Sequence, residues 1–350
     1  MMGMSSDDDK GKGKAEVNHT DEEPRDKVQL PWVEKYRPKC MDDLVSHTDI
    51  ISTIQTFIKE DRVPHMLFYG PPGTGKTSTI LAVAQQIYGP KYKNMILELN
   101  ASDDRGIDVV REKIKSFAST RTIFSSGYKL IILDEADAMT NAAQAALRRV
   151  IEKYTKNVRF CLICNYVSKI IPAVQSRCTS FRFAPLAVEQ MEDRLQHVVA
   201  SEKVNITPDG HKALLNLANG DMRKVLNVLQ AAAMSHDVVD GDAVYLTTGQ
   251  PLPSDITNIM NWLLTDDYRS AYNQIKTLKD LKGLALTDII REVHTFTLNL
   301  ELPVESKAYV MDELALLEYR LASGTSEHIQ LGGMVGMFGT VRDQIAANSG

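Results

Sequence analysis

The 350-residue sequence predicts an α/β fold, a parallel sheet covered by helices and then two all-helical units. Three observations predict it. Short apolar runs alternate with helix-periodic segments as far as Pro185. A glycine-rich loop at 70–77 stands between one such run and a helix. Beyond Pro185 the strand signals stop and helical periodicity alone continues.

Residues 50–59 place apolar side chains at 50, 51, 54, 57 and 58, a helix period. Residues 65–69, HMLFY, form an apolar run bounded by Pro64 and the Gly/Pro cluster, which fits a buried strand. An apolar helix follows the loop and closes at Gly89. Strands are expected at 95–99, 130–133, 159–164 and 180–183, and helices at 107–117 and 141–154. The strands are almost continuously apolar, as parallel strands covered on both faces are. Short helices follow at 188–203, 208–218, 221–234 and 240–247. Pro251 and Pro253 then punctuate the chain before helices at 256–264, 268–278, 285–300 and 304–322. The GGMVGMF stretch around 334–337 reads as a loop and helix start. The implied organisation is a disordered tail at 1–27, a nucleotide-binding domain at 28–185, a helical lid at 186–250 and a helical collar at 251–350.

Composition excludes several classes. Apolar residues make up 43% and charged residues 24%, so the chain is neither wholly disordered nor fibrous. No apolar stretch is long enough to span a membrane, and the N-terminus lacks the apolar core of a secretory signal. Four cysteines make no disulfide framework and fit a reducing compartment. The net charge of −5 is unevenly distributed: −3 over 1–27, +3 over 28–250 and −5 over 251–350. That balance neither demands nor forbids nucleic acid.

The segment Gly70-Pro71-Pro72-Gly73-Thr74-Gly75-Lys76-Thr77, with Ser78 after it, fits the phosphate-loop pattern. Its glycines let successive backbone N–H groups point at phosphate oxygens, and the following helix adds its positive end. Lys76 is placed for the β- and γ-phosphates and Thr77 for Mg2+. The apolar strand 130–133 ends in Asp134-Glu135-Ala136-Asp137. In a parallel sheet this strand end lies beside the phosphate loop. Asp134 suits Mg2+ and Glu135 suits polarisation of the attacking water; an acidic helix start is the plainer alternative.

With these motifs the chain resembles an AAA+ ATPase, and further segments narrow the resemblance. Trp32-Val33-Glu34-Lys35-Tyr36-Arg37-Pro38, the run Asn100-Ala101-Ser102-Asp103-Asp104-Arg105-Gly106-Ile107, Ser176-Arg177-Cys178 and Gly220-Asp221-Met222-Arg223 resemble signatures of clamp-loader subunits. Over about 30–345 the chain is most similar to the replication factor C family. SFASTRTIF, RFCLICNYVSKIIPAVQSRC and GTSEHIQL favour the small-subunit branch numbered 5 in animals and 3 in yeast.

The resemblance implies roles. Asn165 would sense the γ-phosphate and Arg223 would contact ATP from the lid. Arg177 would act in trans as an arginine finger on ATP held by a neighbouring subunit. Val33, Tyr36, Arg37, Pro38, Leu44 and Val45 would line the adenine and ribose end. Arg105, Arg111 and Lys169 would track DNA, and Ile123 and Phe124 would dock on the sliding clamp. The implied cofactors are ATP and Mg2+. The implied partners are one large and three other small loader subunits, the clamp and a primed double-strand/single-strand DNA junction, with no membrane, in the nucleus. Plainer alternatives stay open for each: strand-end turn for Asn165, ion pair for Arg177, solvated bases for the other cations, packing for the apolar residues. A scaffold subunit that binds ATP with little turnover, or a subunit of another AAA+ machine, also stays open.

Cys161-x-x-Cys164 lacks a second Cys/His pair, and on a strand residues three apart face opposite sides, so a metal reading is set aside. His65 and His211 have no partner pattern and read as structural.

Overall fold

The computed structural model describes residues 30–38, 40–44, 46–101, 107–119 and 127–349. The 1–27 tail, Val45, Arg105, Ile123 and Phe124 lie outside the described residues.

The first unit opens with a short helix, α1 (Trp32–Lys35), and the amphipathic α2 (Thr48–Lys59). It continues as β1 (Met66–Tyr69), α3 (Lys76–Tyr88), α4 (Tyr92–Met95), β2 (Ile96–Asn100) and α5 (Ile107–Ser119). Next come β3 (Lys129–Asp134), α6 (Asn141–Tyr154), β4 (Val158–Cys164), the single turn α7 (Pro172–Gln175) and β5 (Thr179–Arg182). All pairings are parallel, in the order β2-β3-β4-β1-β5. β4 is thus the central strand, and β1 lies between it and the edge strand β5.

The continuously apolar strands are explained by two cores, one on each face of the sheet. Met66, Phe68, Leu130, Ile132, Cys161 and Ile163 pack with α2 and α3. Leu67, Ile131, Leu133, Phe160, Leu162 and Cys164 pack with α5 and α6. Alternation along each strand sends successive residues to opposite faces. Cys161 and Cys164 therefore enter different cores, as their spacing predicted. Burial pushes the Cys164 thiol up to about 12 and the Cys161 thiol well above its ordinary value.

His65 fastens the sheet's lower end. Its Nδ1 accepts from the Phe160 backbone N–H at 3.1 Å. That N–H can only donate, so the ring proton sits on Nε2, 3.3 Å from the Thr155 hydroxyl.

The middle unit comprises α8 (Val188–Glu202), α9 (Pro208–Ala218), α10 (Met222–Ser235) and α11 (Gly241–Thr248) around Leu195, Leu214, Leu226, Leu229 and Val244. The C-terminal unit comprises α12 (Pro253–Thr265), α13 (Tyr268–Lys282), α14 (Leu286–Asn299), α15 (Val304–Ala322) and α16 (Glu327–Ser349). Its core draws on Ile259, Ile275, Ile289, Leu314, Met334 and Phe338. Here one expectation fails. The GGMVGMF stretch is no loop but the interior of α16, with Met334, Val335, Met337 and Phe338 buried. Burial of these side chains outweighs the poor helix propensity of glycine. The glycines also admit close neighbours: a Cβ on Gly332 would stand 2.9 Å from the Tyr268 hydroxyl.

Candidate functional site

The site lies at the C-terminal ends of β1, β3 and β4, where open α/β sheets bind ligands. The loop between β1 and α3 rises there and hands over to α3 through Gly75, whose φ of +91° is left-handed. A Cβ on Gly75 would meet nothing within 4 Å, so the loop leaves open space at the helix's positive end.

Lys76 turns back across the loop. Its ammonium donates to the carbonyls of Gly70 at 2.7 Å and Pro71 at 2.8 Å, and to Asn165 Oδ1 at 3.2 Å. Burial pulls the Lys76 pKa below the ordinary lysine value, while nearby Asp134 works in the opposite direction. Thr77 donates from its hydroxyl to Asp134 Oδ2 at 2.8 Å, and the Glu135 N–H donates to Asp134 Oδ1 at 2.9 Å. Glu135 itself has φ +53°, a left-handed conformation rare outside glycine. That bend exposes its side chain at the cavity and starts the 3-10 turn Ala136–Ala138.

Asp137 ties two strand ends together. Its Oδ2 accepts from the N–H groups of Asn165, 3.3 Å, and Tyr166, 3.2 Å. The stretch from Asn165 to Cys178 is fastened by two glutamines. Gln144, buried in α6, donates to the carbonyls of Met139 and Lys169 and accepts from the Ile171 N–H at 2.8 Å. Gln175 donates to the carbonyls of Val167 and Ile170.

The cavity wall brings together Val33, Tyr36, Arg37, Pro38 and Leu44 with Pro72, Gly73, Thr74, Gly75, Lys76, Thr77, Ser78, Asp134, Glu135, Asn165 and Arg223. Gly70 and Pro71 hold Lys76 from behind. The 32–38 segment belongs to the middle unit as much as to the first. Trp32, Val33 and Tyr36 pack on that unit's core, and the Trp32 N–H donates to Gln230. Lys35 and the Tyr36 hydroxyl both reach Glu202 Oε1 at 2.6 Å, and Arg194 donates to the Tyr36 carbonyl at 2.6 Å.

Arg177 and Lys169 do not line the cavity. Arg177 pairs with Glu152 on α6. Lys169 ends the exposed turn Val167–Lys169, with its ammonium 5.1 Å over the Tyr166 ring. Arg111 lies within α5, and its side chain is outside the described residues. Sequence reasoning missed the cavity residues Glu34, Asp43, Ser46, Leu186, Gln190, Arg194, Met222 and Leu226. Glu34 stands inside a quoted motif and Met222 and Leu226 flank Arg223 at helical spacing, so those three were accessible; nothing marks Gln190 or Arg194.

This donor set fits a nucleotide with a hard divalent cation. The threonine hydroxyl and Asp134 carboxylate are oxygen ligands of the kind Mg2+ takes, and Lys76 with the open helix start suits phosphate.

Comparison with known proteins shows the family. Residues 66–186 match the model of the ATPase family associated with various cellular activities (AAA), and 251–337 match that of the replication factor C C-terminal domain. The chain is 60% identical to replication factor C subunit 5 of Homo sapiens, covering 91% of this chain and 94% of that one. It is 56% identical to subunit 3 of Schizosaccharomyces pombe, covering 96% and 98%. Against subunit 3 of Saccharomyces cerevisiae the figures are 51%, 91% and 95%. Among solved structures, the RuvB Holliday junction branch migration motor of Thermotoga maritima shares the fold, with a TM-score of 0.50 at 14% identity over 74% of this chain and 91% of that one. Glycine-loop ATPase site, helical C-terminal domain and relatives matched over nearly their whole length agree, and the chain belongs to the replication factor C family, in the small-subunit branch called 5 in animals and 3 in yeasts.

Proposed function

We propose that this chain is an ATP-hydrolysing subunit of the clamp loader, which opens the sliding clamp and sets it on primed DNA in the nucleus. The observation that carries the reading is the two-sided cavity. The sheet unit supplies Lys76, Thr77, Asp134, Glu135 and Asn165, and the middle helical unit supplies Arg223. A nucleotide bound between two units biases their relative arrangement by its differential affinity, which is how binding becomes mechanical work.

Lys76 and the loop N–H groups would bind the phosphates, with Thr77 and Asp134 holding Mg2+. When bound, the ion neutralises charge on the phosphate oxygens. Glu135, exposed at the end of β3, would orient the attacking water and accept its proton. Asn165, already 3.2 Å from the Lys76 ammonium, would report the γ-phosphate to the segment that ends in Arg177. Arg177 would complete a neighbour's site; its place outside this chain's cavity supports action in trans. Residues 186–250 would act as lid and 251–350 as the collar joining one large and three other small subunits. Lys169, with Arg105 and Arg111, would follow the DNA backbone by charge, and Ile123 and Phe124 would meet the clamp.

The test is steady-state ATP hydrolysis by the assembled complex with and without sliding clamp and primed DNA. Strong stimulation by both together supports the reading. Indifference to both would leave an AAA+ subunit of another machine or a scaffold.

A further inference from the structure

Arg177 has four rotatable bonds between backbone and guanidinium, and a free arginine samples many rotamers. The structure gives it one. Its Nε donates to Glu152 Oε1 at 2.8 Å, and Nη2 stands 2.5 Å from the same oxygen. Nη1 donates to the Ala173 carbonyl at 2.6 Å, capping α7. Glu152 is itself held: Arg148, one turn earlier on α6, donates to the same Oε1 at 3.2 Å. The Arg148 hydrogen bond is the largest cause holding the Glu152 carboxyl below its ordinary pKa, with Arg177 adding to it, so it is ionised at neutral pH. The neighbouring Val150 and Ile151 are buried, which fixes the α6 turn that carries Glu152. The Gln144 and Gln175 hydrogen bonds fix the backbone that carries Arg177.

We propose that Glu152 is the positioning residue of Arg177: it sets the guanidinium at the edge of the subunit, away from this chain's own cavity, in the orientation from which it meets ATP held by a neighbour. The inference rests on the reading of Arg177 as acting in trans. The pair is partly exposed, so its contribution lies in preorganisation of a long side chain more than in binding strength.

The test uses the assembled complex with the phosphate-loop lysine replaced in every subunit except the neighbour whose site Arg177 faces, so that only that site turns over. Glu152→Ala should lower its kcat roughly three- to tenfold, with Glu152→Gln, which still accepts a hydrogen bond, in between. In an otherwise intact full-length chain, Glu152→Ala should leave nucleotide affinity unchanged, which damage to the sheet unit would not. Glu152→Ala added to Arg177→Ala should cost nothing further. Full turnover, a rise in turnover or an additive loss in Glu152→Ala would overturn the proposal, the rise because it would mean that Glu152 parks the arginine instead of presenting it. If Arg177→Ala itself leaves turnover intact, the trans reading falls first and this inference with it.

Discussion

Gly73 in the phosphate loop and Asp221 at the start of α10 occupy adjoining space that admits no side chain. A Cβ on Gly73 would stand 1.6 Å from Asp221 Oδ1. That oxygen already accepts from the N–H groups of Arg223 at 2.8 Å and Lys224 at 3.2 Å, and the Met222 N–H donates to the Gly73 carbonyl at 3.3 Å. The loop proposed to cradle phosphate and the helix that presents Arg223 are therefore in direct contact.

Gly73→Ala should separate them. The overlap is with a capping carboxylate that cannot retreat without leaving the helix N-terminus unsatisfied, and the φ of +69° adds strain. Nucleotide affinity should fall about tenfold or more, measured by titration with a fluorescent ATP analogue. Gly283→Ala is the control, since its φ of +64° carries the same kind of strain with nothing within 4 Å. It should leave affinity unchanged; equal losses in both would mean that strain, and not the loop–helix contact, governs binding.

Lys76 and Glu135 should separate binding from turnover. Lys76→Ala removes the ammonium and leaves the carbonyls of Gly70 and Pro71 without their donor. It should abolish measurable nucleotide binding at this chain. Glu135→Gln keeps the side-chain shape at an exposed position and removes the carboxylate proposed as the base. Affinity should persist while hydrolysis at this site falls about a hundredfold or more. Equilibrium binding and single-turnover hydrolysis on the same preparations check both, and normal affinity in Lys76→Ala would sink the phosphate-loop assignment.

The legibility of this fold follows from how local each signal is. The inner strands could be read because both their faces are buried, so Leu130 to Leu133 and Phe160 to Cys164 are apolar without interruption. The phosphate loop and the 134–137 carboxylates could be read because each is a short run of adjacent residues. Gln190 and Arg194 could not, since their chemistry becomes visible only when α8 packs over the 32–38 segment. The pairing of Arg177 with Glu152, which stands 25 residues away and in no motif, depends on how α7 docks on α6. The interior of α16 reads as a loop because its glycines signal one locally, whereas burial of Met334 and Phe338 makes it helix.

His65 makes part of the sheet's stability depend on pH. Burial and Arg159 push its pKa down from 6.5 to about 4. Protonation would place an Nδ1–H against the Phe160 N–H, two donors face to face. Above pH 6.5 the ring is neutral in both folded and unfolded chains. As pH falls from 6.5 towards 4 the unfolded chain takes up the proton and the folded chain does not, so stability drops across that window. Between pH 7 and pH 5 the loss should be about 1–2 kcal/mol, allowing for partial solvation of the ring. Hydrogen exchange of β1 and β4 amides, corrected for intrinsic rates, measures it. His65→Asn keeps an acceptor near Nδ1 and should flatten this dependence; an unchanged slope would assign it to other groups.

The C-terminal unit should be separable from the nucleotide site. Its core is built from residues between Ile256 and Val341, while the cores of the sheet unit and the middle helices use residues between Met41 and Val244. Pro251 and Pro253 stand between the two sets. The unit also leaves the large apolar side chains of Val304, 84%, Tyr319, 71%, and Ile329, 72%, exposed, as a surface that joins other subunits would. Deleting 254–350 should therefore leave a folded fragment whose nucleotide affinity stays within about threefold of the full chain. The same fragment should fail to assemble with the other subunits. Gel filtration with light scattering of the co-expressed subunits reads assembly, and binding titration reads the site. Assembly at native mass without 254–350 would move the joining surface onto the ATPase and middle units. Loss of nucleotide binding in a soluble fragment would mean that the C-terminal helices support the cavity despite their separate core.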